Sequence, residues 1–425
     1  CSSVLSLQQL SAKYQTFGVF YQNEKRVAPV TICTYDSFPL LVRKLTEELV
    51  DISTLPLVID ESHNFALAGY RIDALRGVND VLSSVKFSSV LRMTGTYLPT
   101  WTGIDGLFET VKVDSIKRVQ PVTVVHFQRH ATDEKGETSS VGSMADSMLV
   151  VASHFLSSGK RVIIHFDNKG KDLDSLIAKL VTAGTPSTNI YTLNSDNKFE
   201  TLGSQLVATE TVPDNCKVLI VTSVFIESLN VSTEFDTLLV EDLHLTKLEQ
   251  LFNRKRGSAI PHAFVFTNGQ GNGYAFDREK EFFHKRSLLS LICEEANRDE
   301  TLFNVKMTND DIRIFGRSYS KGVKCVDDKW TIDELGLSQL VYESEELYLA
   351  NNVIAFKRHA ENSGYGWKFA KDIEVVVTEQ PTREEKAELN AINDALKDIR
   401  DGRYNDTLAF LSTLQEVSHA EYIAK

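Results

Sequence analysis

The sequence predicts an α/β fold with two lobes built on parallel sheets, followed by a mostly helical C-terminal part. Three observations lead there. Short, continuously apolar, β-branched runs recur along the first 270 residues, and stretches of helical period separate them. A strand that is apolar on both faces belongs in a sheet covered by helices on both sides, and such sheets are parallel. Beyond residue 270 the apolar runs give way to charged segments of mostly helical character.

The first lobe is expected over residues 1–112, with strands in VTICTYD (30–36), LPLVID (55–60) and SSVLRMTGT (88–96). The second is expected over 113–270. Its strands are VTVVHF (122–127), RVIIHF (161–166), NIYTL (189–193), KVLIVTS (217–223), DTLLVED (236–242) and HAFVFT (262–267). Helices are expected at 144–159 and 171–184, each closed by a glycine at a position suited to a helix C-terminal stop. The polar stretch TDEKGETSSVGS (132–143) reads as a loop inside the second lobe. NGQGNGY (268–274) reads as a flexible turn into an accessory domain, 271–425. Within it, Thr382 and Glu385 have capping-box spacing, and Leu389, Ile392, Leu396 and Ile399 fall on one helix face. Residues 371–425 carry twelve acids against seven Lys and Arg, which suits packing or a protein partner better than a grip on nucleic acid.

A chain of 425 residues has room for two or three domains, and 42% hydrophobic content is ordinary for a globular protein. No apolar run approaches the roughly 18 residues of a membrane span, and the first residues do not read as a secretory signal. Five scattered cysteines without a CxxC pair argue against a disulfide framework or zinc site and for a reducing, cytoplasmic setting. The net charge of −12 excludes a general basic coat, so any nucleic-acid site must be a local groove.

The chemistry centres on LPLVIDESHNF (55–65). Asp60 sits where a parallel strand should end, and ligands gather at the carboxyl ends of such strands. An Asp there can hold Mg²⁺ through water, since Mg²⁺ favours one or two carboxylates plus waters and phosphate oxygens. Glu61 beside it could orient or deprotonate a water for attack on a phosphate. A charged loop after a buried strand is the bland alternative, and these residues alone do not separate the two.

The motifs that follow resemble, in order, those of the superfamily 2 helicases and translocases of DExH type, related to the DEAD proteins. DESH (60–63) resembles their form of the Walker B motif. MTGT (93–96) is similar to the Ser/Thr-Ala/Gly-Thr motif, and TYDSF (34–38) to the segment that touches the nucleic-acid backbone. VIIHFDNK (162–169), VLIVTSVFIESLNV (218–231) and LEQLFNRKRGS (248–258) resemble the motifs of the second lobe. The resemblance covers residues 1–270. It implies two RecA-like lobes with ATP and Mg²⁺ between them and DNA, in preference to RNA, in a groove across both. It also implies roles: Asp60 for Mg²⁺, Glu61 and Gln250 for the attacking water, His63 for coupling, and Arg254 or Arg256 as arginine finger. Thr34, Thr94, Thr96, Thr222, Ser223 and Glu227 would bind nucleic acid or couple it to hydrolysis. The short last motif and the TGT turn look most similar to viral or phage-type replication and origin-binding helicases.

Three departures qualify this. Ser228 stands where the family has Gly. The last motif is compressed relative to QRxGRxGR. No GxxxxGK followed by Ser or Thr occurs, so the phosphate-cradling Walker A loop is missing from these residues. CSSVLSLQQLSAKY (1–14) resembles the segment just after that loop, which implies an incomplete first lobe and a chain that does not turn over ATP alone. The competing expectations are a helicase-like, non-enzymatic binding module and an ATPase that works on protein.

Overall fold

The computed structural model describes residues 4–68, 71–94, 98, 119–127, 130–132, 138–140, 144–167, 171–255, 259–269, 274–298, 320–363 and 366–375. By its contacts the chain divides into two compact units. One comprises 1–114 with 276–348, the other 115–275 with 349–425.

In residues 1–114, helix α1 (Val4–Lys13) leads to strands β1 (Gly18–Tyr21), β2 (Glu24–Arg26) and β3 (Thr31–Cys33). β1 pairs antiparallel with β2 and parallel with β3. A 3₁₀ turn over Tyr35–Ser37 runs into α2 (Phe38–Glu47), which has a proline in its first turn, where no backbone donor is lost. β4 (Pro56–Ile59) follows, then the short α3 (Asn64–Leu67), α4 (Ile72–Ser84) and β5 (Ser89–Arg92). β4 and β5 pair parallel from Pro56↔Ser89 to Ile59↔Arg92. Ile59, Leu57 and Val90 pack into a core with Tyr35, Phe38, Phe65 and Leu75, whereas Val58 and Leu91 on the other face are each 55% exposed. The β4–β5 pairing is parallel, as expected, and one face of this pair is the covered one. Among the described residues the first unit has a three-stranded mixed sheet and a separate parallel pair. The run LPLVI is aliphatic on both faces, and only one of them meets a core.

Residues 115–275 carry β6 (Gln120–Phe127), the pair β7 (His130–Thr132) and β8 (Thr138–Ser140), α5 (Met144–Ser157), β9 (Val162–His165) and α6 (Lys171–Thr182). β10 (Ile190–Leu193), α7 (Thr201–Thr209), β11 (Val218–Val221), α8 (Ser223–Ser228), β12 (Thr237–Val240), α9 (Leu245–Arg254) and β13 (His262–Thr267) complete the alternation. Gly159 and Gly184 end α5 and α6 with φ of +76° and +98°, the left-handed geometry a glycine stop supplies. The strands order as β10-β11-β9-β12-β13-β6, and every neighbouring pair is parallel. β9, β11 and β12 are buried throughout, and α5 and α6 pack on them through Met148, Val151, Phe155, Leu176 and Leu180.

After residue 275 the chain adds α10 (Arg278–Arg298), the hairpin β14 (Val323–Val326) and β15 (Lys329–Ile332), α11 (Glu334–Ala350), α12 (Val353–Ser363), β16 (Trp367–Phe369) and β17 (Ile373–Val375). Asp327 and Asp328, both at positive φ, make the two-residue hairpin turn. Arg76 of α4 pairs with the buried Asp333 and donates to the carbonyls of Lys321 and Val323, which ties this hairpin to the first unit. β16 and β17 both pair parallel with β6, so they extend the second unit's sheet to eight strands. The segment expected as one accessory domain is thus shared between the two units. The expected helix over 381–399 lies outside the described residues.

Candidate functional site

In the first unit the acidic turn and the end of β5 run side by side. The Met93 amide donates to the Ile59 carbonyl (2.8 Å) and the Ser62 amide to the Met93 carbonyl (3.0 Å), which carries the β4–β5 ladder into DESH and MTGT. Asp60 is exposed, and its carboxylate accepts no hydrogen bond among the described residues. Glu61 sits at φ +54°, a left-handed conformation that costs a non-glycine residue energy and marks a constrained turn. His63 is buried. Its Nδ1 lies 2.9 Å from Thr94 Oγ1 and 3.4 Å from Glu61 Oε2, so three of the sequence-predicted residues meet at one nitrogen.

The TYDSF segment braces this turn. The Tyr35 hydroxyl donates to the Asp60 carbonyl and lies 3.3 Å from the Glu61 carbonyl, and its ring meets Phe65 edge-on. Burial, with the Asp60 and Glu61 charges next in weight, pushes the Tyr35 phenol above its usual range. Thr34 is buried, and its hydroxyl donates to Ser37 Oγ (3.1 Å) rather than facing outward. Thr96 lies outside the described residues.

In the second unit the sequence-predicted residues gather at the carboxyl ends of β9, β11 and β12, where parallel pairing sets Val221 and Val240 level with His165. Thr222 is buried at the N-terminal cap position of α8. The Ser223 amide and hydroxyl both donate to Asp167 Oδ1, at 2.8 and 2.7 Å. A carboxylate of the chain itself therefore engages the donors expected to hold a nucleic-acid phosphate. Glu227 falls within α8. Gln250 and Arg254 are half-buried on α9, and the Arg254 carbonyl accepts from the Val231 amide (2.9 Å). Arg256 lies outside the described residues.

Around Asp167 lies a cluster the sequence reading missed. Asp167 Oδ2 accepts from Lys247 Nζ (2.9 Å), which is also 3.4 Å from Asp242 Oδ2. The Asp167 amide donates to Glu241 Oε1 (2.6 Å), and His165 Nε2 is 3.6 Å from Asp167 Oδ1. Burial lowers His165 to about 4, and it raises Glu241 to about 7 with the charges of Asp167 and Asp242 adding to the effect. Burial acts to raise Asp167 too, but attraction from His165 and Lys247 and the Ser223 hydrogen bond outweigh it and hold the carboxyl well below its usual range. His165 is neutral at pH 7, so there Lys247 and Ser223 do that work. The signal was available in HFD and VED, both at strand ends, but only the register places them together.

No family model matches the chain, and no curated protein matches it. Its structure is similar to that of the Mycobacterium smegmatis helicase Lhr bound to ssDNA and AMP-PNP. Identity is 10% and the TM-score 0.43, over 62% of this chain and 39% of that one. It is similar also to the Escherichia coli DEAH/RHA helicase HrpB, at 11% identity and a TM-score of 0.41, over 100% of this chain and 54% of that one. A third similar structure is S. cerevisiae Dbp5 bound to RNA and ADP BeF3, at 15% identity and a TM-score of 0.40, over 60% of this chain and 64% of that one. The chain thus spans from 39% to 64% of the length of these three helicases. No helix among the described residues is long and apolar enough to cross a membrane.

Proposed function

We propose that this chain is the motor region of an ATP-dependent nucleic-acid helicase or translocase of superfamily 2, acting on DNA in preference to RNA, of the viral or phage replication type. One observation carries the reading: the DESH turn and the MTGT strand end meet at His63 Nδ1, which faces both Glu61 and Thr94. A single N–H at Nδ1 cannot serve both partners fully, and the distances favour Thr94 (2.9 against 3.4 Å). Movement of Thr94 when nucleic acid binds would therefore change the hydrogen bond available to Glu61. This is a physical route from strand binding to hydrolysis.

The residues present suit Mg²⁺, because Asp60 offers an exposed carboxylate at a strand end. When bound there, the ion would neutralise charge on the β- and γ-phosphates of ATP. Glu61 orients the attacking water and takes its proton, and Tyr35 fixes the backbone that carries both acids. Arg254 or Arg256 supplies the finger, and Gln250 helps to order the water. Residues 1–112 and 113–270 carry the two lobes, and residues 271–425, divided between the two units, set partner choice. The test is ATP turnover by the native full-length protein with and without single-stranded DNA or RNA. DNA is expected to stimulate turnover, and Glu61→Gln to lower it by at least about 100-fold. Unchanged turnover in that variant would overturn the assignment. The capture of Ser223 by Asp167 withdraws a donor expected for nucleic acid and so favours, as a second reading, a helicase-like module that binds protein without hydrolysis. That reading predicts no turnover in the native protein.

A further inference from the structure

We propose that His165, Asp167 and Glu241 form a binding site for a first-row divalent transition-metal ion of the zinc, cobalt or manganese class. The inference is independent of the helicase reading. All three residues belong to the second unit and stand at the carboxyl ends of β9 and β12, which are parallel neighbours with His165 level with Val240. One donor atom from each lies within 4.8 Å of the others, close enough for one ion to draw them together.

The independent observation is His165 itself. It is fully buried, and neither ring nitrogen has a hydrogen-bond partner among the described residues. A neutral imidazole carries one N–H and one lone pair, and each left unmet in a dry site is destabilising. Its Nε2 faces Asp167 Oδ1 at 3.6 Å, so a ring nitrogen able to bind a metal is aimed into the acidic cluster. One imidazole with two carboxylates is a donor set that suits zinc, cobalt or manganese, whereas an all-oxygen set would suit magnesium or calcium.

The surroundings hold the ligands in place. Ser223 donates twice to Asp167 Oδ1, and the Asp167 amide donates to Glu241 Oε1 and leaves Oε2 free of it. Such outer contacts fix the orientation of metal ligands. The charges also fit: among the described residues, Lys247 is the one cation ion-paired with the carboxylates of Asp167 and Asp242, beside Glu241. The ammonium of Lys247 occupies Asp167 Oδ2 at 2.9 Å and must give way when an ion binds, so Lys247 competes with the metal.

That competition supplies a test which loss of folding cannot imitate. Co²⁺ is titrated into the 425-residue chain, read by visible absorption and by the thermal midpoint. The proposal expects one equivalent to give a ligand-field spectrum and to raise the midpoint. His165→Ala and the isosteric Glu241→Gln each weaken binding by at least about tenfold, with far-UV circular dichroism checking that each variant folds. If His165→Ala does not fold, Glu241→Gln decides. Lys247→Gln strengthens binding by about tenfold, since it removes the competing cation. The proposal is overturned if no spectrum appears at one equivalent, or if binding survives unchanged in Glu241→Gln. It is overturned equally if Lys247→Gln leaves the affinity unchanged or weakens it.

Discussion

Tyr35 shows how one side chain carries a constraint that its sequence position does not announce. TYDSF resembles a nucleic-acid contact segment, yet its tyrosine points into the protein and bonds the backbone of the acidic turn. Tyr35→Phe keeps the ring against Phe65 and removes only the hydroxyl. The carbonyls of Asp60 and Glu61 then lose a donor in a part-buried setting, which is expected to cost about 1 kcal/mol. Urea unfolding should show a lower midpoint with an unchanged slope, and an unchanged midpoint would show that the brace contributes nothing. Asp60 and Glu61 were legible from sequence because an acid directly after a continuous apolar run marks a strand end. The burial of Thr34 was not legible, since a threonine before a helix is equally at home facing solvent or bonding Ser37.

Among elements, α11 illustrates a close approach that reverses an ordinary propensity rule. Gly336 lies in its first turn, where alanine would normally stabilise a helix by roughly 1 kcal/mol. A Cβ at that position would clash with the Lys321 carbonyl oxygen, which is backbone and cannot swing aside. Gly336→Ala is therefore expected to destabilise the chain, by about 2 kcal/mol or more. Thermal unfolding should show a lower midpoint, and a raised one would mean that the helix and the 320–322 turn separate easily. Strands β6 and β9 to β13 were readable because each is a largely apolar, β-branched or aromatic run, whereas β8 (Thr138–Ser140) lies in the polar stretch expected as a loop. The three-residue strands β16 and β17 were not, because WKF and IEV are strands only through pairing with β6. The His165–Asp167–Glu241 cluster was hidden for the same reason, as it depends on which strands lie next to one another.

The whole molecule is threaded so that neither unit is one continuous stretch of chain. A fragment covering 115–275 would lack β16 and β17 and leave β6 as a long, largely apolar edge. Such edges template pairing with other chains. The fragment is expected to aggregate or to unfold at lower temperature than the complete chain, measured by light scattering and circular dichroism. A soluble, equally stable fragment would show instead that the C-terminal strands are an optional covering. The same threading sets a timetable for synthesis. His126 on β6 bonds Asp372, beside β17, a residue 246 positions later. At about 5–20 residues per second, the ribosome needs on the order of 10–50 s to deliver that partner. Through that interval β6 waits with one side unsatisfied, so the newly made chain has its greatest need of a chaperone between the emergence of its second unit and that of its last strands.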